Sequence, residues 1–210
     1  CTSVTKEDLI HYQKNGCISL KFGIESGSQT MLDVMEKKFT TEDIKKAIFG
    51  CAEIGLHTTL LGFMIAMPGE TEQTIKESAE LAGELDAKVK VPPKYIWGHN
   101  DIPYAMPLVG TPLYEYGKQI GLIGSKIEDE EEYLKMTSNV GVFKRYYLNF
   151  NGAPIQEVLF WDMLFWMEST RSYLKHMNGS KDDENSIKYY SGQMELQSKN
   201  PHHKMKQKSV

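Results

Sequence analysis

The stretch Lys21-Phe-Gly-Ile-Glu-Ser-Gly-Ser-Gln29 decides how the chain is read. It closes an apolar run that begins at Cys17 and reaches Ile24, then turns polar at Glu25 and Ser26. A short apolar run ended by Gly and Ser reads as a buried strand with its turn at the carboxyl end. In α/β folds, ligands gather at the carboxyl ends of strands. Gly27 or Ser28 then leads into a helix with Met31, Leu32 and Met35 along one face, so its unpaired N–H groups point at the same place. Alone, the stretch favours a plain strand–turn–helix with a solvated glutamate.

The same order recurs on both sides of it. Upstream, Thr5-x-x-Asp8 caps a helix that runs to about Lys14 and ends at Asn15-Gly16. Downstream, Thr40-Thr-Glu-Asp43 caps a second helix, with Ile44, Ala47, Ile48, Cys51 and Ala52 on one face until Gly55. His57 to Ile65 reads as a second buried strand, ended by Ala66-Met-Pro-Gly-Glu-Thr71. A third helix begins near Thr71, and a third strand is expected over Tyr95 to Ile102. Pro107-Leu-Val-Gly-Thr-Pro-Leu-Tyr114 turns into a fourth helix. Strand and helix alternating in this way predict parallel strands with crossover helices: an α/β fold, either half of a (β/α) barrel or part of an open sheet. Half a barrel leaves one strand edge unpaired. That edge, and an opening on Cys-Thr-Ser-Val-Thr without Met, lead us to expect a fragment or processed piece whose amino-terminal part is absent.

Beyond Gly124 the pattern changes. An acidic segment opens at Glu128, and Ile155 to Leu174 predicts a strong helix apolar nearly all round. From Asn178 the chain is polar and reads as a disordered tail. The expected division is therefore 1–124 for the α/β unit, 125–177 for an α-rich extension and 178–210 for the tail. His202 and His203 in that tail carry no assigned role.

Composition limits the function classes. The chain has 210 residues, 40% hydrophobic and 25% charged, with a formal net charge of -4. That is ordinary globular composition, with no electrostatic case for nucleic acid or an anionic membrane. No apolar run is long enough for a membrane span, and no signal peptide is visible. Cys1, Cys17 and Cys51 are odd in number and widely spaced, which argues against a disulfide framework and fits a reducing, cytoplasmic compartment. No cysteine pair has zinc or iron–sulfur spacing, so Cys17 and Cys51 read as buried small hydrophobes. Neither a catalytic triad order nor a phosphate loop is present. The three turns at 25–27, 67–70 and 99–107 would face one pocket, where a carboxylate can accept both hydroxyls of a ribose. The residues alone support an α/β fold that could take a nucleoside-like ligand.

Taken together, Lys21 to Gln29, Gly62-Phe-Met-Ile-Ala-Met-Pro-Gly-Glu-Thr71 and Pro107 to Tyr114 resemble three successive strand ends of the radical S-adenosylmethionine (SAM) superfamily. The likeness is greatest to the branch that often carries an amino-terminal cobalamin-binding domain, and covers residues 1 to about 135. It implies a partial (β/α)6 barrel, of which this chain holds the carboxyl-terminal part. It also implies SAM and a [4Fe-4S] cluster as cofactors, an electron donor for the cluster, and a substrate of unknown, small-molecule or other, kind; cobalamin stays open. In that family the reduced cluster splits SAM to give a 5′-deoxyadenosyl radical, or SAM serves methyl transfer with cobalamin. By resemblance, Glu25 and Ser26 match the fourth-strand positions that contact the SAM ribose or neighbouring groups. Ala66 and Pro68 belong to the fifth-strand turn near the adenine, and Met106 and Pro107 to the sixth-strand end lining the pocket. Two departures stand out. The family's CxxxCxxC cluster loop is absent, so no metal ligand is assigned in this chain. Ala66 stands where Gly is common. The competing reading is a cluster-less half-barrel that binds or scaffolds without catalysis, and the fragment alone is expected to be inactive. A barrel aldolase or lyase would need a Lys or metal site at a strand end, and Lys21 lies mid-strand.

Single residues divide further. Glu70 reads equally well as a carboxylate complementing a helix dipole. His57 and His99 read as structural, Trp97 and Tyr104 as core or rim, and Tyr146 and Tyr147 as residues that could close the bottom of a barrel.

Overall fold

The computed structural model describes residues 4–58, 61–92, 95–96, 100–137 and 147–177. Helix α1 (Lys6–Lys14) starts where Thr5 accepts from Asp8 N–H while the Asp8 carboxylate returns to Thr5 N–H, a reciprocal cap. The apolar run that follows forms two short strands, β1 (Ser19–Leu20) and β2 (Gly23–Glu25), rather than one continuous strand. Helix α2 (Gln29–Val34) and the longer α3 (Thr41–Ile54) come next. Thr40 and Asp43 cap α3 reciprocally, and Gly55 ends it at φ 73°. Positive φ carries no Cβ penalty in glycine, so the chain can reverse there.

The second run holds β3 (His57–Thr58) and β4 (Leu61–Phe63), with Ile65 bridged to Tyr104 beyond them. Helix α4 (Glu72–Lys88) is capped by Thr71, which accepts from Thr74 N–H. The third strand, β5, is described over Asn100–Asp101. Tyr95 and Ile96, expected within it, lie in a helical turn instead. Helix α5 (Pro112–Gln119) carries Pro at its first position behind the Thr111 cap. Helices α6 (Ile127–Thr137), α7 (Ile155–Val158) and α8 (Trp161–His176) complete the described elements. The long carboxyl-terminal helix expected from the sequence thus breaks at Leu159-Phe160. There the Val158 carbonyl accepts from Tyr104 Oη at 3.1 Å, a side-chain donor where the break removes a helical one.

All strand pairs are parallel. Strand β1 pairs with β3, and β2 with β4, which in turn pairs with β5. The run holding β1 and β2 therefore lies beside the run holding β3 and β4, and the third run lies beside that. This is a mixed α/β arrangement of consecutive parallel strands joined by helices. The register shifts between Gly23 and Glu25, a bulge-like irregularity at the end of β2. Such irregularities re-aim the next side chain.

The core packs the strands against α3, α4 and α8. Ile24, Ile44, Ile48, Leu61, Phe63, Leu85 and Phe165 are fully buried in one cluster. Residues 155–177 are thus built into this core, with Val158, Trp161 and Phe165 among its members. Helices α4 and α8 cross very closely. An added Cβ at Gly83 would stand 2.3 Å from the Ser169 carbonyl oxygen, so only glycine permits this approach. Ser172 Oγ donates to the Glu80 carbonyl across the same contact at 2.7 Å. Among the described residues, no helix is long and apolar enough to cross a membrane.

Candidate functional site

The three strand ends lie side by side. Met64 N–H donates to the Glu25 carbonyl at 2.8 Å. Ile65 N–H donates to Pro103, and Ala105 N–H donates back to Ile65 at 2.8 Å. Glu25, Ala66 and Met106 are consequently end residues of neighbouring parallel runs, on one rim.

That rim is conformationally unusual. Four described residues other than glycine have positive φ: Glu25 (66°), Glu36 (54°), Ala66 (67°) and Lys90 (58°). Glu36 and Lys90 follow the C-caps of α2 and α4, where left-handed backbone is routine. Glu25 and Ala66 have no such explanation. Each pays about 1–2 kcal/mol to stand in the left-handed region at adjacent strand ends. Ser26 N–H donates to the Ile24 carbonyl at 2.8 Å, closing a three-residue turn around Glu25.

Glu25 is half-buried, its side chain 24% exposed, and Oε1 accepts from Lys37 Nζ at 3.2 Å. Lys37 follows α2 and did not stand out in the sequence. Its signal there was only the Lys37-Lys38 pair ahead of the Thr40 cap. Ser26 is fully buried, unlike Glu25. Its hydroxyl lies 3.0 Å from Ser78 Oγ and accepts from Ser28 N–H at 3.1 Å, and Gly27 N–H donates to Ser78 Oγ at 2.9 Å. Ser26 therefore fastens the turn to α4. Gly27 is needed there because a Cβ would come 2.7 Å from Ser78 Cα.

The neighbouring turn is built differently. Ala66 is fully buried, and its carbonyl accepts from Tyr147 Oη at 3.0 Å. Asn151 Nδ2 donates to that Tyr147 oxygen at 3.1 Å. Pro68 is half-buried and Gly69 turns at φ 82°. Glu70 is only 4% exposed. Its Oε2 accepts from Met67 N–H at 3.1 Å, and Oε1 has no partner. Burial pushes the carboxyl up to about 8, against the pull of backbone N–H groups at Met67 and Ala66. That burial disfavours the charged form, which weighs against a carboxylate that simply complements the helix dipole.

At the third end, Met106 is half-buried and Pro107 buried. The Pro107 carbonyl accepts from Tyr133 Oη on α6, so the extension also pins this end of the rim. Trp97, His99, Tyr146 and the tail from residue 178 lie outside the described residues, as does Cys1.

The described cysteines do not suit a metal cluster. Cys51 is fully buried, and burial pushes its thiol up to about 11, away from the thiolate a metal needs. Cys17 Sγ donates to the Ser19 carbonyl at 3.4 Å. Among the described residues no group of three metal-ligating side chains comes together.

Comparison with known proteins gives the site a context. The family model of the radical SAM superfamily matches residues 1–82. An uncharacterised methyltransferase of Pyrococcus horikoshii is 30% identical over 104 residues, covering 50% of this chain and 20% of that protein. An anaerobic magnesium-protoporphyrin IX monomethyl ester cyclase of Cereibacter sphaeroides is 32% identical over 77 residues, 37% of this chain and 12% of the cyclase. A tRNA-2-methylthio-N(6)-dimethylallyladenosine synthase of Anaplasma phagocytophilum is 25% identical over 129 residues, 61% of this chain and 25% of the synthase. The chain spans a quarter or less of each of these relatives.

Proposed function

We propose, from the match of residues 1–82 to the family model of the radical SAM superfamily, that the rim of strand ends is the nucleoside-binding side of an enzyme that cleaves SAM reductively. The observation that carries this reading is the pair of left-handed residues, Glu25 and Ala66, at adjacent parallel strand ends. Backbone strain of this kind persists where the surrounding structure imposes it, and it clusters at ligand sites. Glu25 offers a half-exposed carboxylate oxygen on the rim, suited to accept from two ribose hydroxyls. Lys37 holds that carboxylate in place and keeps a cation beside the ligand. Ser26 acts through Ser78 by holding the turn. Ala66, Pro68, Met106 and Pro107 form the wall beside the base, with Ala66 set by Tyr147 and Pro107 by Tyr133.

A [4Fe-4S] cluster, when bound, would supply the electron for cleavage. The described cysteines do not fit its thiolate ligands, so the residues here are assigned ligand binding and orientation only. A second reading is a half-barrel that binds the nucleoside without redox chemistry.

Titration calorimetry with SAM tests the first reading. Glu25→Ala should weaken binding by roughly 1.5–3 kcal/mol, the worth of a charge-assisted hydrogen bond. Unchanged affinity removes Glu25 from the site. Anaerobic reconstitution of the full-length protein with iron and sulfide separates the two readings. Visible charge-transfer absorbance supports the enzyme, and a colourless protein that still binds SAM supports the binding module.

A further inference from the structure

One peptide unit on the rim is held at both edges. The Ala66 carbonyl accepts from Tyr147 Oη at 3.0 Å, and the N–H of the same peptide, that of Met67, donates to Glu70 Oε2 at 3.1 Å. The direction of the first bond follows from what surrounds the phenol. Asn151 Nδ2 and the Phe150 N–H both donate to Tyr147 Oη, at 3.1 Å and 3.4 Å, so its own proton goes to Ala66. Burial pushes the phenol up from its ordinary value, which keeps that proton in place. Tyr147 lies 81 residues beyond Ala66 and reaches the carboxyl end of a strand run, not the barrel bottom that the sequence suggests. Its ring packs beside that of Tyr104, with centroids 5.3 Å apart, which fixes where the hydroxyl stands.

The peptide so held is the one that follows the left-handed Ala66. An alanine resists that backbone by about as much as one or two hydrogen bonds contribute net. Two bonds on one peptide are therefore enough to offset the strain, and one is not. Ala66 is fully buried, so the surface that the turn presents is that of Met67 and Pro68, each half-buried. Tyr147 sets where that surface stands without having to touch a ligand.

We propose that Tyr147 is a positioning residue for nucleoside binding: with Glu70 on the other edge, its hydroxyl holds the Ala66–Met67 peptide in its strained form and so sets Met67 and Pro68 against the base. This rests on the nucleoside reading of the rim, and adds to it a residue from beyond the strand–helix repeats on which the wall depends. Alanine at position 66 is what makes Tyr147 necessary, since glycine takes the same φ without the Cβ penalty.

The test is titration calorimetry with SAM on the full chain, with urea unfolding on the same samples. Tyr147→Phe keeps the ring beside Tyr104 and loses the hydroxyl, and should weaken SAM binding about fivefold or more. In an Ala66→Gly background, where the backbone carries no strain, the same substitution should cost no more than about twofold. A merely structural tyrosine would lower stability in both backgrounds and show no such rescue. Equal losses of affinity in the two backgrounds would overturn the proposal, as would unchanged SAM affinity in Tyr147→Phe. Should Tyr147→Phe fail to fold, Asn151→Ala removes a donor to the phenol and leaves the phenol in place. It should weaken SAM about twofold to threefold and be rescued by glycine in the same way, and no loss, or a loss without rescue, would overturn the proposal. Glu25→Ala separates this role from the reading beneath it. Weaker SAM binding there, with Tyr147→Phe unaffected, overturns the role of Tyr147 alone, whereas a wild-type chain that binds no SAM overturns the nucleoside reading and the role with it.

Discussion

Glu25 and Glu70 stand at the ends of adjacent parallel runs, yet they solve the problem of a carboxylate near a core in opposite ways. Glu25 stays half-exposed and meets the Lys37 ammonium at 3.2 Å. Glu70 is enclosed, holds one backbone N–H and leaves Oε1 without a partner. The first arrangement keeps a charge available at the rim. The second suppresses the charge, and its carboxyl is pushed up to about 8. Two glutamates, each within two residues of a turn glycine, thus acquire different chemistry from what packs over them. Nothing described buries Glu25 further, whereas Phe150, Asn151 and Trp161 lie around Glu70.

The largest expected effect that would sharpen this contrast is on stability. The Glu70 carboxyl has its folded value raised above the ordinary 4.5 to about 8. Below about 4.5 both folded and unfolded chains are protonated there, and the contribution to stability is at its fullest. As pH rises towards 8 the unfolded chain ionises first, so stability falls, by at most about 5 kcal/mol in all. Urea unfolding across that range should show the decline in the wild type and lose this component in Glu70→Gln. A decline of the same size in both would place its origin elsewhere.

A smaller effect is expected from Gly27→Ala, which pushes a methyl into α4 and should destabilise by about 1–3 kcal/mol. If Glu25 depends on that anchorage, SAM affinity should drop along with it. A stable variant would show that the turn can shift away from Ser78. Lys37→Met should change stability by no more than about 1 kcal/mol, since the pair is partly exposed. A larger loss would make the Glu25 pair structural, and so erase the difference from Glu70. The smallest effect is Ala66→Gly, expected to stabilise by about 0.5–1 kcal/mol by relieving φ 67°. Destabilisation would mean that the methyl packing outweighs the backbone strain.

Helix starts were legible because caps are local. Thr5 and Thr40 cap as their spacing suggests, and α4 starts behind Thr71 as expected. The parallel order was legible too, from strands alternating with amphipathic helices. Strand continuity was not, because the register shift near Glu25 depends on pairing with β4 rather than on the residues of β2. The preference for glycine at position 66 in the resembling family has a visible cause here in the positive φ of Ala66. The burial of Glu70 was hidden because Phe150 and Trp161 lie some eighty residues further along. Likewise Ser26 reads in sequence as a rim hydroxyl, and only the approach of α4 shows that Ser78 takes it. Local signals thus marked where the rim lies, and long-range packing decided which of its polar groups remain available.

The account's central claim is that the Glu25 carboxylate receives ribose hydroxyls. A double-mutant cycle measures this directly, by titrating SAM and its 2′-deoxy analogue into the wild-type and Glu25→Ala proteins. The account predicts that removing the hydroxyl weakens binding to the wild type and has little further effect on the variant, with a coupling of about 1.5 kcal/mol or more. Additive losses, with coupling near zero, would contradict it.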